Sequence, residues 1–455
     1  ESCGHETKRD FMLSYRDGTL NIDQRPLKSL LEEAPTPFFL FSEAQLRANY
    51  AALDKGLSQS GGRATIRYCA KTNNEAGVLR ILADCGSEVM TSHLAETQLA
   101  LECGFAPEKI AFQRPVLVED EVESVLDAGI SLIHAYRLED LGLIDKVASS
   151  REKPVRISLR VRNDSLLGRL SPLNVLSRRL GFPGTGIDSA VERIVDSRHL
   201  KFFALNFYCG TQQESTAHFQ SLMRAVVRLC VRMKSRFGIV PEEINFGGGV
   251  PSHSLSRVGP FKLWDRFEGW VEGSDSPQAL EEFGRALCGQ FIREARGADL
   301  HPLPGVAAEP GRSIVSNAGI LLTRVCALQE NWAFLDASHN YLGESVLFFR
   351  RRILPLVEAT KRSRKYYHLS GNTLNTMDVV DLRRRLPTLN IGDVLCLADA
   401  GAYTISRSSR YAGLSPAVYL LELNGKMRLI RRAEEFSDLA RPMIELEGRE
   451  ESNRV

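Results

Sequence analysis

The chain has none of the pairings on which cysteine-built proteins depend: its nine cysteines, an odd number, include no CxxC pair and no zinc-type spacing. Disulfide frameworks and structural metal sites are therefore not expected, and reduced thiols in a cytoplasmic setting are. Long apolar runs are missing as well. No stretch approaches the roughly 18 residues that a membrane span requires, and residues 1–35 lack a basic start followed by an apolar core, so neither membrane anchoring nor export is expected. Charge of one sign is scarce: 58 Lys+Arg against 56 Asp+Glu leave a net charge of +2, which argues against a protein built as a whole for nucleic acid. There is no low-complexity tract and no repeat of fixed period.

What is present is a chain of 455 residues, 43% hydrophobic and 25% charged, enough to bury a large core and to divide into two domains. From Thr65 onward, short apolar or β-branched runs alternate with segments of helical periodicity. The strand-like runs are TIRYCA (65–70), SEVMTS (87–92), KIAFQR (109–114), SLIHAY (131–136), VRISLRV (155–161), FFALNFY (202–208), EINF (243–246) and GVAAE (305–309). Between them lie EAGVLRILADCG, HLAETQLALECG and VEDEVESVLDAG, apolar stripes each closed by glycine, as a helix followed by a left-handed cap should be. Eight strand–helix units in about 250 residues match a (β/α)₈ TIM barrel, with a doubly wound open sheet as the competitor.

After Arg312 the rhythm changes to ILLTRVCALQ, WAFLDAS, VLCLADAGAY and AVYLLEL, joined by turns, which predicts a mainly β second domain. TPFFLF (36–41) is a strand-like run that the barrel does not need and that can pair with the C-terminal sheet. The expected division is 1–36 joining the β-domain, 37–315 as the barrel and 316–455 as the β-domain.

Barrel chemistry sits at the C-terminal edge of the strands. There Lys71 ends the first run, and YCGT (208–211), GGG (247–249) and EPGR (309–312) end the sixth, seventh and eighth. Successive glycines let backbone N–H groups approach an anion, and barrel phosphate sites commonly follow strands seven and eight. Arg312 adds a guanidinium fork suited to phosphate. A buried lysine near such an anchor, with the Glu309 carboxylate opposite, suits an aldehyde cofactor held as a Schiff base. Singly, each motif has a plainer reading: a surface lysine, a flexible turn, a capped loop. Their shared placement favours a site.

YCAKTN around Lys71, NFYCGTQ (206–212), NFGGGV (245–250), EPGRSIVSNAG (309–319) and DAGAYTISRSSRY (399–411) resemble, in order, the pyridoxal-phosphate decarboxylases of the diaminopimelate and ornithine type, which have an alanine-racemase-like barrel. The similarity runs from about residue 36 to about residue 423. It implies pyridoxal 5'-phosphate as cofactor, a β-domain built from both chain ends, and a homodimer with active sites shared between subunits. By that resemblance Lys71 matches the Schiff-base lysine. Glu309 matches the carboxylate facing the pyridine nitrogen, where the racemase relatives have arginine. Gly247, Gly248, Gly249, Gly311 and Arg312 match the phosphate cradle, Thr211 stands where a phosphate-contacting serine is usual, and Tyr403 and Tyr411 match aromatic positions near phosphate and substrate.

Three departures accompany the match. Tyr208 replaces a histidine stacked on the cofactor ring, which keeps stacking and loses a titratable group. In GNTLNTMD the family's cysteine-acid motif becomes Leu374 and Asn375, with Asp378 retained, and leucine cannot donate a proton. In DASHNYLGESVLFF, Glu344 and Phe348 stand near where the diaminopimelate enzymes have arginine and tyrosine, which disfavours a distal carboxylate on the substrate. Arg312, Glu344, Asn375 and Asp378 are the candidate substrate contacts, against a plain reading of Glu344 as a solvated loop residue. An excursion over 250–275, with Phe261, Trp264, Phe267 and Trp270, reads as a lid or as a surface loop packed on a helix. The basic run Arg350–Lys365 reads as a solvated face.

The sequence thus predicts a decarboxylase of an amino acid or amino-acid-derived metabolite, with no nucleic acid, membrane or metal partner. Two alternatives stand beside it: an enzyme of the same fold with another outcome at the α-carbon, and a cofactor-binding protein without strong catalysis.

Overall fold

The computed structural model describes residues 12–59, 62–162, 179–208, 217–252, 256–257, 277–343, 349–358 and 363–444. It falls into two compact units: Leu46–His253 with Ser274–Val315, and Glu1–Gln45 with Ser254–Gly273 and Ser316–Val455.

The first unit is a closed barrel of eight parallel strands: β1 (Ala64–Cys69), β2 (Glu88–Thr91), β3 (Ile110–Gln113), β4 (Leu132–Ala135), β5 (Val155–Arg160), β6 (Leu200–Asn206), β7 (Glu243–Asn245) and β8 (Gly305–Ala308). All eight coincide with the expected runs. β8 closes back on β1 through Val306↔Ala64, Ala307↔Thr65 and Ala308↔Ile66, which removes the open-sheet alternative. The helices Ala76–Asp84, Leu94–Glu102 and Glu119–Asp127 end as their glycines require. Gly86, Gly104 and Gly129 have φ of +89°, +97° and +82°. The following residue then bonds five back: Ser87 to Leu82, Phe105 to Ala100 and Ile130 to Val125, at 3.1–3.2 Å. This is a Schellman closure used three times; it leads the first and third of these helices straight toward the next strand and the second through the short turn Pro107–Lys109.

The barrel interior is partly ionic. Arg67 of β1, 2% exposed, bonds Glu88 on β2 at 2.7 Å and Glu243 on β7 at 3.0 Å. Its charge is balanced within the barrel, which is the condition for burying it.

The second unit is built on a nine-stranded sheet. Phe38–Ser42, buried at every position, pairs antiparallel with Gly319–Gln329 and parallel with Ala417–Leu421. As the run TPFFLF suggested, this strand pairs with the C-terminal sheet, so the expected division after residue 36 moves to follow it; its Phe38 and Leu40 face packs among Leu20, Ile22, Ile320, Leu322 and Leu421. Among the described residues, no helix is long and apolar enough to cross a membrane, and no cluster of His, Cys, Asp and Glu could hold a metal ion.

Candidate active site

The ends of β1 and β8 are laced together. Cys69 N–H donates to Pro310 O at 3.1 Å, and a Cβ at Gly311 would lie 2.1 Å from the hydroxyl of Thr72. Only glycine lets the EPGR turn pass so close to the lysine turn Ala70–Thr72. Lys71 itself is exposed, not buried as the sequence reading had it. It stands in the short turn just past the end of β1, and its charge acts on both Cys69 and Glu309. Burial pushes the neighbouring Cys69 thiol up to about 11, against the pull of the Lys71 charge, so it remains a thiol.

Glu309 is 6% exposed. Asn206 at the end of β6 and Asn245 at the end of β7 both donate to its Oε1, at 3.0 and 2.7 Å, and Oε2 takes neither bond. Each amide has its other end fixed. Arg160 donates to Asn206 Oδ1 at 2.7 Å, and Gly247 N–H donates to Asn245 Oδ1 at 2.8 Å. The amides are thereby oriented with N–H toward the carboxylate. Burial raises the Glu309 pKa, while Arg67, Arg160, the Asn245 bond and the Lys71 charge pull it down.

The three glycines form a bent ledge between β6 and β8. Gly247 and Gly249 have φ of +68° and +100°, and a Cβ on Gly247 would lie 2.1 Å from Phe207 O. A Cβ on Gly248 would lie 3.2 Å from Glu309 O. Backbone at that distance can meet an anion that side chains would hold off. Arg312, buried at 6%, follows Gly311 directly. Tyr208 is 40% exposed, with the Arg160 guanidinium 5.4 Å from its ring centroid.

Within this unit the structure brings together Lys71, Tyr208, Gly247, Gly248, Gly249, Glu309, Gly311 and Arg312. Thr211 lies outside the described residues, as do Glu344, Phe348 and the four aromatics of the excursion. Tyr403, Tyr411, Asn375 and Asp378 belong to the other unit. There Asp378 is not a free substrate contact: its carboxylate accepts from Ser338 Oγ at 3.1 Å, His339 N at 2.7 Å, Thr373 N at 3.0 Å and Thr373 Oγ1 at 2.6 Å. Its role is to hold the 371–378 loop, from which Leu374 projects fully exposed.

Four residues of the site escaped the sequence reading: Arg160, Asn206, Asn245 and His134. A usable signal existed for three of them, since Arg160, Asn206 and Asn245 are polar residues that each close a barrel strand, whereas His134 lies one residue inside the end of its strand. Tyr136 was also missed; its hydroxyl donates to Gln113 Oε1 at 3.1 Å, and burial pushes its pKa up to about 12.

These residues fit a cofactor that carries an aldehyde, a basic ring nitrogen and a phosphate: an amine just past the end of β1, a carboxylate oxygen that neither asparagine takes, and a ledge and a turn where a Cβ on Gly247 or Gly311 would collide. The chain is 27% identical over 435 residues to a diaminopimelate decarboxylase of Archaeoglobus fulgidus, covering 94% of this chain and 97% of that one. It is 24% identical over 445 residues to the L-glutamyl-[BtrI acyl-carrier protein] decarboxylase of Niallia circulans, covering 94% and 98%. Its fold is that of the diaminopimelate decarboxylase of M. jannaschii solved with L-lysine, with a TM-score of 0.84, 23% identity and coverage of 96% and 98%. The pyridoxal-binding domain of the pyridoxal-dependent decarboxylases matches residues 43–316, and the chain belongs to that family.

Proposed function

We propose that the chain removes the α-carboxylate of an amino acid or amino-acid-derived metabolite, with Lys71 carrying pyridoxal 5'-phosphate as a Schiff base and Glu309 facing its ring nitrogen. The observation that carries this reading is the Glu309 carboxylate, held on one oxygen by Asn206 and Asn245 beside the strand end that bears Lys71. The bound cofactor supplies an electron sink for the bond broken at the α-carbon. Glu309 Oε2 accepts at the ring nitrogen and favours its protonated form. Gly247, Gly248, Gly249, Gly311 and Arg312 take the phosphate, with Thr211 joining them by its place in the motif. Tyr208 offers its face to the ring, and Tyr403 and Tyr411 keep the roles near phosphate and substrate that the resemblance of their motif gives them.

Leu46–His253 with Ser274–Val315 serves as the cofactor domain in this account. The working form is a homodimer. The fully exposed Leu374 and the 60% exposed Met377 support it, being apolar surface that a second copy would cover. The described cysteines are all free thiols, which supports a cytoplasmic setting. Leu374 also favours a second outcome, because Leu374 and Asn375 in place of the family's cysteine-acid motif leave the α-carbon without the usual proton donor.

The test is a panel of amino acids offered to the reconstituted protein, with CO₂ release and exchange of the α-proton in heavy water measured separately. Release with the Lys71 adduct trapped by borohydride supports the proposal. Exchange with the carboxylate retained supports the second outcome.

A further inference from the structure

His134 lies one residue inside the end of β4, directly across the barrel from β8, and is completely buried. Its Nε2 is 3.9 Å from Glu309 Oε1. Neither ring nitrogen has a hydrogen-bond partner among the described residues, and neither has the buried hydroxyl of Ser158. The coincidence is local, because His134 and Ser158 are register partners on the adjacent parallel strands β4 and β5. Register partners project on the same side of a sheet, so both side chains point into the barrel.

Three buried polar atoms left over in one place constitute an unfinished chain, and their chemistry matches end to end. A neutral imidazole has one donor and one acceptor, a serine hydroxyl has one donor, and a carboxylate oxygen accepts from several directions. Imidazole is the form present here. Burial first, then the charges of Arg67 and Arg160, hold His134 well below the usual histidine range. The charged groups that act on it among the described residues include those two arginines and, at 3.9 Å, Glu309.

We propose that His134 is a positioning residue for Glu309, with Ser158 Oγ–H donating to Nδ1 and Nε2–H donating to Oε1 once the side chains close by about the 1 Å that separates a contact of this length from a hydrogen bond. This rests on the reading of Glu309 as the ring-nitrogen partner. Oε1 then has three donors from three strands, Asn206, Asn245 and His134, and the carboxylate cannot rotate to offer it elsewhere. Oε2 alone faces the mouth. A third donor also favours the ionised carboxylate that burial opposes.

The tautomer of His134 tests this in cofactor-free and cofactor-loaded protein alike. With ¹⁵N-labelled histidine side chains, the His134 signals are assigned by their loss in His134→Asn, or in His134→Gln if the first variant does not accumulate. The expected result is a neutral ring protonated on Nε2 at neutral pH, with the Nδ1 signal moving in Ser158→Ala. A ring protonated on Nδ1, an imidazolium, or an Nδ1 signal indifferent to Ser158→Ala overturns the proposal. In loaded protein, His134→Phe is expected to raise the cofactor dissociation constant about tenfold, the equivalent of one hydrogen bond to a charged group, and His134→Gln, which retains an N–H, to restore most of it. Equal losses in the two variants overturn the donor role. Because the tautomer is read without catalysis, failure of this inference is distinguishable from failure of the decarboxylase reading.

Discussion

Asn245 joins the glycine ledge to the carboxylate: its Oδ1 accepts the Gly247 N–H at 2.8 Å while its Nδ2 donates to Glu309 at 2.7 Å. One amide thus sets both the bend of the ledge and the aim of Glu309. Asn245→Asp keeps the acceptor and turns the donor into a second anion. Activity is expected to fall about tenfold to a hundredfold, the loss of a hydrogen bond to a charged group, with weaker cofactor binding measured by absorbance titration.

Glu309→Gln separates function from stability. The folded protein holds the Glu309 proton more tightly than the unfolded chain does, so this group's contribution to stability is lost as pH rises above the ordinary carboxylate range of about 4.3 and through the raised folded value. Glutamine has no such loss, and its oxygen still accepts from both asparagines. Cofactor-free Glu309→Gln is expected to melt higher than wild type at neutral pH and equally at acid pH, while CO₂ release collapses.

His134 gives the opposite pH signature. Its folded pKa is depressed, so the unfolded chain takes up a proton that the folded protein refuses, and stability falls as pH drops below about 6.5. In His134→Asn that acid-side decline should flatten, as followed by melting temperature between neutral pH and the onset of acid unfolding.

Arg67 sits between two acids, one of them the 2% exposed Glu243. Arg67→Met leaves those charges without their cation inside the barrel. The expected cost is about 3–5 kcal/mol in denaturant unfolding, far more than loss of an exposed pair such as Lys146 with Glu119.

The barrel was legible because its local rules agree with its global shape. The glycines after 85, 103 and 128 stop three helices where the next strand must begin, and the strand runs are too short and too apolar for an exposed sheet. The motifs at the strand ends were legible for a related reason: a lysine, three glycines and an EPGR turn are costly where they stand unless a ligand uses them. What holds Glu309 was less visible. Asn206 and Asn245 are separated by 39 positions in the sequence and meet only because β6 and β7 pair through Asn206↔Asn245. His134 reaches Glu309 across the barrel's width, a relation that periodicity along one strand does not carry. The pairing of TPFFLF with the C-terminal sheet was legible too, because it is a strand-like run that eight barrel strands leave over; only the boundary drawn at residue 36 fell short of Phe38–Ser42.

The most direct measurement is a crystal structure of the protein loaded with pyridoxal 5'-phosphate. The account predicts the Lys71 nitrogen joined to the cofactor aldehyde carbon and Glu309 Oε2 about 2.7–2.9 Å from the ring nitrogen, the length of a charge-assisted hydrogen bond. A cofactor bound away from Lys71, or a ring nitrogen facing any group other than Glu309, would contradict it.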